Sequence, residues 1–310
     1  MLRKACLLTA LAAGLFTVAA SASDVPPFNL NEDNVDTAHD GKWADADTYA
    51  LPTFYVDVQV RRDAKVSSGF AHAHAHIFNE GLDKAMLQDL ARKAYDDLVT
   101  KMRAAGYKVL TYDDLKADLA KLDRLPPNKK YGMPTTVLGE KTKGGSGDFL
   151  AATPTDEQTF DYSHLMGVMH PYNDLAKDKK LVVIVPQIYY AMPQVGKKRG
   201  GGWGRNKASI DLEPNMLLSH AVYNGLPPNL GYCNMKVKEH GERPAAEDVG
   251  EIETVHATPA QSDYEKEHAE WALAVGDYTM KVDPAKLSTG VLSVAYTLND
   301  RFIKLLKKAH

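Results

Sequence analysis

The chain has 310 residues, 44% hydrophobic and 25% charged, enough apolar mass for a core of its own and too balanced a composition for a disordered or fibrous protein. A formal net charge of −3 excludes the basic surface expected of a nucleic-acid binder or of a protein held on anionic lipid. Of its two cysteines, Cys6 lies in the leader described next, so the mature chain has only Cys233 and no intrachain disulfide.

Residues 1–22 read as a secretory signal peptide: Arg3 and Lys4, an apolar stretch from Ala5 to Ala19, then Ala20-Ser21-Ala22 as an A-x-A site, with cleavage between Ala22 and Ser23. The expected location is periplasmic or secreted, and the mature chain is mildly acidic. Residues 23–50 are rich in Asp, Asn, Ala and Pro with little periodicity, which predicts an extended, solvated leader. Its spacing around Asp33 and Asp36 lacks the glycine and terminal glutamate of a calcium loop.

From Thr53, the residues Phe54, Val56, Val58 and Val60 alternate with Tyr55, Asp57, Gln59 and Arg61, predicting a half-buried strand, and Arg62 to Gly69 reads as a turn. The next run, FAHAHAHIF, places Phe70, His72, His74, His76 and Phe78 on one side of a strand and Ala71, Ala73, Ala75 and Ile77 on the other. Alanine is a poor strand former, so three in alternation predict a close approach on that side, for which the following helix is the expected element. The imidazoles then face solvent or a site. Neutral imidazole is a common ligand for zinc and copper, and i, i+2 spacing sets two rings about 7 Å apart at Cα. His72, His74 and His76 are therefore candidate metal ligands taken as neighbouring pairs, with His164 or His170 as possible additions. The other readings of the run are an ordinary polar strand face and a pH-dependent or ligand-contacting one.

After this strand, Leu87, Leu90, Ala91, Ala94, Leu98, Met102 and Ala105 recur on one face of a helix, with Asp83 as N-cap and Gly106 at the left-handed C′ position before the strand YKVL. Residues 111–125 predict a shorter helix ended by Pro126-Pro127, and 126–160 a long loop whose Gly144-Gly145-Ser146-Gly147 lacks the lysine of a phosphate loop. Ser163 to Lys179 is a weak helix interrupted at His170-Pro171. LVVIVPQIYYAM, 181–192, is a buried strand that Pro186 and Pro193 place near an edge or a bend.

GKKRGGGWGRNK between this run and ASIDLEPNMLLSHAVY predicts a long hairpin. At its tip Lys197, Lys198, Arg199, Trp203 and Arg205, with Lys207, make a candidate ligand or partner contact: cations around flexible backbone beside a ring that can stack. The alternative is a solvated hairpin end. Residues 224–248 are loop-rich, and GYCNMKV around Cys233 carries no nucleophile signature. VGEIETVHAT predicts a strand with Ile252 and Val255 as its apolar members. Asp283-Pro284 opens a final helix striped by Leu287, Val291, Val294, Ala295, Leu298, Phe302, Leu305 and Leu306.

The expected fold is mixed α/β: a mixed sheet covered by two long amphipathic helices, with a long hairpin, in one domain over 51–310 with loops at 126–160 and 224–248. From Ala94 to Val109 the chain reads A-Y-D-D-L-V-T-K-M-R-A-A-G-Y-K-V, a helix feeding a strand through A-G-Y. On this passage, and more loosely on 171–220, it resembles a group of uncharacterised exported proteobacterial proteins. More remotely it is similar to the periplasmic α/β fold of the curli-secretion lipoprotein and the amino-terminal domain of TolB. The resemblance implies an α/β sandwich and an envelope role in assembly or binding, and brings no catalytic residue set. Two departures stand out: no lipidated cysteine follows the signal, and histidines occupy positions where small polar residues are expected.

No nucleophile elbow, H-E-x-x-H, dinucleotide fingerprint or phosphate loop occurs in the sequence. The functional expectation is a non-catalytic exported protein that binds an envelope protein or small ligand, without nucleic acid, without an integral membrane span after signal cleavage, and without an obligatory cofactor. The alternative is divalent metal binding or handling, zinc or copper, on the His72/His74/His76 strand. A metal-dependent hydrolase is a third reading, since barrel hydrolases present H-x-H on an early strand, but the eight strand–helix alternations it requires are not in the sequence.

Overall fold

The computed structural model describes residues 25–30, 32–68, 71–121, 146–160, 165–202, 205–229, 231–237, 243–258 and 273–310. The expected signal peptide, residues 122–145 of the expected helix and loop, His164 and Trp203 lie outside them.

The fold is mixed α/β. Twelve strands form one mixed sheet whose main path is β1 (Val35–Ala38), β11 (Cys233–Val237), β10 (Met216–Leu226), β7 (Val182–Ala191), β3 (Tyr55–Ser68), β4 (Ala71–Glu80), β14 (Leu273–Val282) and β13 (Gly250–Thr258). Off that path, β2 (Thr48–Ala50) pairs with β5 (Lys108–Leu110) and β7, β6 (Ser146–Ala152) with β3, and β12 (Arg243–Ala246) with β10. A second, two-stranded sheet joins β8 (Gln194–Gly202) and β9 (Arg205–Glu213). Four α-helices are described: α1 (Lys84–Ala104), α2 (Tyr112–Leu119), α3 (Leu165–Lys179) and α4 (Pro284–Ala309).

The central strands are buried on both faces. One face carries Val56, Val58, Ile188, Tyr190 and Tyr223, in one apolar cluster with Leu87, Leu90, Leu98 and Met102 of α1 and Leu287, Val291, Leu298 and Phe302 of α4. Tyr190 donates from its hydroxyl to the Val291 carbonyl at 2.9 Å, tying the sheet to α4. The other face carries Tyr55, Val183 and Val185 against Tyr112 and Leu115 of α2 and Tyr172 and Leu175 of α3. Local rules set the helix ends: Asp83 accepts from Ala85 N at 3.1 Å, Gly106 takes φ +92° after α1, and Thr111 and Asp114 form a reciprocal capping box at α2.

Asn299 joins the two helices to the sheet. Its amide donates to the Ala94 carbonyl at 3.0 Å and to Asp97 Oδ2 at 2.8 Å, and its Oδ1 accepts from the Tyr223 hydroxyl at 2.6 Å. Asn299, Tyr223 and Ala94 are buried, and Asp97 is partly so. Asn299→Ala strands the Tyr223 hydroxyl in the core and takes a donor from Asp97, and urea unfolding is expected to show a loss of about 2–3 kcal/mol; a loss within error of zero would mean that the network carries no stability.

Several segments differ from the sequence expectation. Residues 25–50 are not a solvated leader. Phe28, Leu30 and Trp43 are buried, β1 pairs with β11, and β2 fills a place beside β5 and β7. The Phe28 amide donates to Thr297 Oγ1 at 3.0 Å, and Arg301 donates to the Leu30 carbonyl at 2.8 Å, so this segment runs along α4. Residues 62–68 of the predicted turn are the second half of β3, while β6 occupies part of the predicted 126–160 loop and β11 and β12 lie within the predicted 224–248 loop. The run after the glycine-rich tip is two strands, β9 and β10, divided at Pro214-Asn215. Val255 is 68% exposed because the β13–β14 register shifts beside it.

Pro186 lies inside the sheet and not near an edge. β7 pairs in parallel with β2 at Val182 and Val183 and with β3 from Gln187 onward, so the missing proline N–H falls where the parallel neighbour changes. α3 likewise continues through His170-Pro171 without an interruption.

Candidate functional site

The histidine strand is the middle member of β3–β4–β14. Antiparallel β3 sets Ser67, Lys65 and Asp63 opposite His72, His74 and His76, and parallel β14 sets Leu273, Val275 and Asp277 beside the same three. His72 is exposed, His74 and His76 are half-buried, and Phe78 in the same row is 49% exposed. The other side of β4 is closed: Ala73, Ala75 and Ile77 are buried, in register with Val66, Ala64 and Arg62 of β3. The element lying against this side of β3 and β4 is the β8–β9 ribbon, not α1 as the sequence suggested. Small side chains fit because Ala64, Ala75 and Gly276 stand abreast on three strands.

β3 orients two of the imidazoles. His76 Nδ1 lies 2.8 Å from Asp63 Oδ1, and an ionised carboxylate only accepts, so Nδ1 carries the proton and a neutral His76 keeps its lone pair on Nε2. His72 Nδ1 lies 2.8 Å from Ser67 Oγ. Partial burial, then Lys65 and the adjacent imidazoles, hold His74 below the usual histidine range and favour its neutral, ligand-competent form. Among the described residues no three His, Cys, Asp or Glu side chains are grouped to hold a metal. His170 lies on α3, a different element.

Lys197, Lys198 and Arg199 of the ribbon do not share one side. Lys197 and Arg199 share one side of β8 while Lys198 takes the other, where it pairs with Asp211 at 2.5 Å. Arg205 stands opposite Gly202 in the register. Cys233 is buried beneath Trp43 and Gly225, and burial pushes its thiol far above the usual range, so it is a core side chain and not a nucleophile.

A second polar group lies on the buried side of β3. The register of β3 against β6 shifts between Gln59 and Arg61, with Val60 as the extra residue, so Arg62 continues the side that carries Tyr55, Asp57 and Gln59. Asp57, Gln59 and Arg62 are all completely buried. Gln187 Nε2 donates to Asp57 Oδ2 at 2.9 Å, Arg62 Nη1 donates to the Pro193 carbonyl at 2.7 Å, and Asn79 Nδ2 donates to the carbonyls of Gln59 at 2.7 Å and Met192 at 2.9 Å. Asp57 Oδ1, both side-chain polar atoms of Gln59 and Asn79 Oδ1 have no hydrogen-bond partner. Burial pushes the Asp57 carboxyl up to about 7, against the opposing pull of Gln187. Each unpartnered buried atom costs about 1–3 kcal/mol, so this group is a concentrated local cost in the middle of the sheet.

The alternation at 53–61 hid it, because Asp57 and Gln59 fall on what a half-buried strand would show to water. The available signal was β7: an unbroken apolar run is buried on both faces, and a strand paired with it loses its wet face as well. No protein-family model, curated protein or solved structure matches the chain. No helix among the described residues is long and apolar enough to cross a membrane.

Proposed function

We propose that this is an exported, periplasmic, non-catalytic protein that binds or helps to assemble an envelope component, and that it does so through the histidine-bearing face of β3–β4–β14. In this reading α1 and α4 and the β8–β9 hairpin brace the sheet, and the outer strands present the contact surface. The observation that carries it is the asymmetry of β4: a closed alanine side under the ribbon, and an open side on which His72, His74, His76 and Phe78 reach solvent in one row. Such a row combines hydrogen-bonding rings with exposed aromatic area, the mixture found at protein contacts. The basic region, apolar stretch and A-x-A site at the N-terminus support export, and the resemblance to exported α/β proteins supports an envelope role.

The test is site-specific photocrosslinking in the native cell envelope. A photoreactive residue at Phe78 is expected to give a discrete crosslinked species in the periplasmic fraction, lost when His72, His74 and His76 are all alanine, while one at exposed Arg92 on α1 gives none. Crosslinking from Arg92 alone, from neither position, or retention of the chain in the cytoplasm would overturn the proposal.

A further inference from the structure

We propose that His74 and His76 form an exchangeable site for a nitrogen-preferring transition-metal dication, copper(II) above nickel(II) and zinc(II), with Asp63 as its positioning residue. The site uses the face assigned above to partner binding, but it does not depend on there being a partner.

Three observations select this pair from the row. First, His76 has a built outer partner: the 2.8 Å contact from Nδ1 to Asp63 Oδ1 fixes the tautomer and leaves Nε2 as the ligand, the carboxylate–histidine arrangement that orients metal-binding imidazoles. Asp63 is itself held, 3.6 Å from the Arg61 guanidinium. His72 has only a neutral hydroxyl, that of Ser67, in the equivalent place. Second, the charge around the row is graded. In register, His76 has Asp63 on β3 and Asp277 on β14, His74 has the Lys65 cation on β3, and His72 has Ser67 and Leu273, so the carboxylates that favour a dication stand at the His76 end. Third, His74 and His76 alternate on one face of one strand, about 7 Å apart at Cα, within reach of one ion through two imidazole nitrogens. His72 is twice as far from His76 and cannot join it at one metal.

With imidazole donors the order of affinity follows the general series in which copper(II) exceeds nickel(II) and zinc(II).

The experiment is copper(II) titration of the tag-free chain from residue 23 to 310, followed by calorimetry and electron paramagnetic resonance, with circular dichroism to confirm that each variant is folded. One copper per chain with two-nitrogen hyperfine structure is expected. His74→Ala and His76→Ala should each abolish that signal, and His72→Ala should leave it unchanged. Asp63→Ala should weaken binding 10- to 100-fold with the two-nitrogen signature kept, and Asp63→Asn, which retains an acceptor, should recover part of the loss. The proposal is overturned if the folded wild type binds no copper, if the His74→Ala/His76→Ala double variant binds as the wild type does, or if His72→Ala is as damaging as His76→Ala. None of these outcomes bears on the crosslinking result.

Discussion

Asp57→Asn is expected to stabilise the protein at pH 8 and to leave it nearly unchanged at pH 4. In the folded chain the carboxyl is pushed up from 3.8 to about 7 by complete burial, with a single donor, Gln187, on one oxygen. The sign follows from proton counting. Between pH 3.8 and 7 the native state holds a proton that the unfolded chain has released, so the contribution is fully present below 3.8 and is lost as pH rises through 7. A shift of this size corresponds to roughly 4 kcal/mol across that window. Asparagine reproduces the shape and the acceptor for Gln187 and cannot ionise. Urea unfolding of both proteins from pH 4 to 9 should show curves that coincide in acid and diverge toward about 4 kcal/mol at pH 8. Parallel curves would mean that Asp57 titrates alike in both states, and the account of the buried group would be abandoned.

Trp43→Ala should have the opposite sign and a similar size, a loss of about 3–5 kcal/mol. The indole is completely buried and meets Phe302 of α4 edge-on at 5.0 Å between ring centroids, and the Trp43 carbonyl accepts from the Tyr49 hydroxyl at 2.7 Å. Its other wall is Gly225 of β10, where an added Cβ would collide with the indole and with Cys233 Sγ. The ring therefore joins three parts of the chain that are far apart in sequence, and no neighbour can collapse into its place without moving a strand. Calorimetry and urea unfolding read the loss, with Trp43→Phe expected to fall between. If Trp43→Ala cost less than about 1 kcal/mol, the segment 25–50 would be a dispensable arm after all.

What could be read in advance is governed by whether the information is local. The buried side of α1 is written in Leu87, Leu90, Ala91, Ala94, Leu98 and Met102, and its end in Gly106, since helical spacing and a left-handed cap need no distant partner. β7 is legible for the same reason, as an unbroken apolar run. Residues 25–50 were not, because their burial rests on isolated anchors, Phe28, Leu30 and Trp43, in a polar sequence with no period. β11 and β12 are too short to establish an alternation. β14 escaped because LAVGDYTMKV breaks its pattern with Gly276 and Asp277, which make sense only beside the alanines and histidines of β4. At the candidate site the row of imidazoles was plain, while the two groups that distinguish its members, Asp63 and Asp277, belong to a stretch read as a turn and a strand that was not foreseen. The buried Asp57 group was hidden by correct alternation applied to a strand with two dry faces.

The parallel pairing of β4 with β14 sets Leu273 beside His72 and Lys281 beside Glu80. A chain that folds from its amino terminus thus presents β3 and β4 long before the strand that completes them. Until β14 is in place, one edge of the histidine strand has open backbone donors and acceptors, the condition in which strands pair with the wrong neighbour. This pairing, as distant in sequence as that of β1 with β11, is therefore also the one that finishes the histidine strand. A chain stalled or clipped before Leu273 would leave that edge of the histidine strand unpaired.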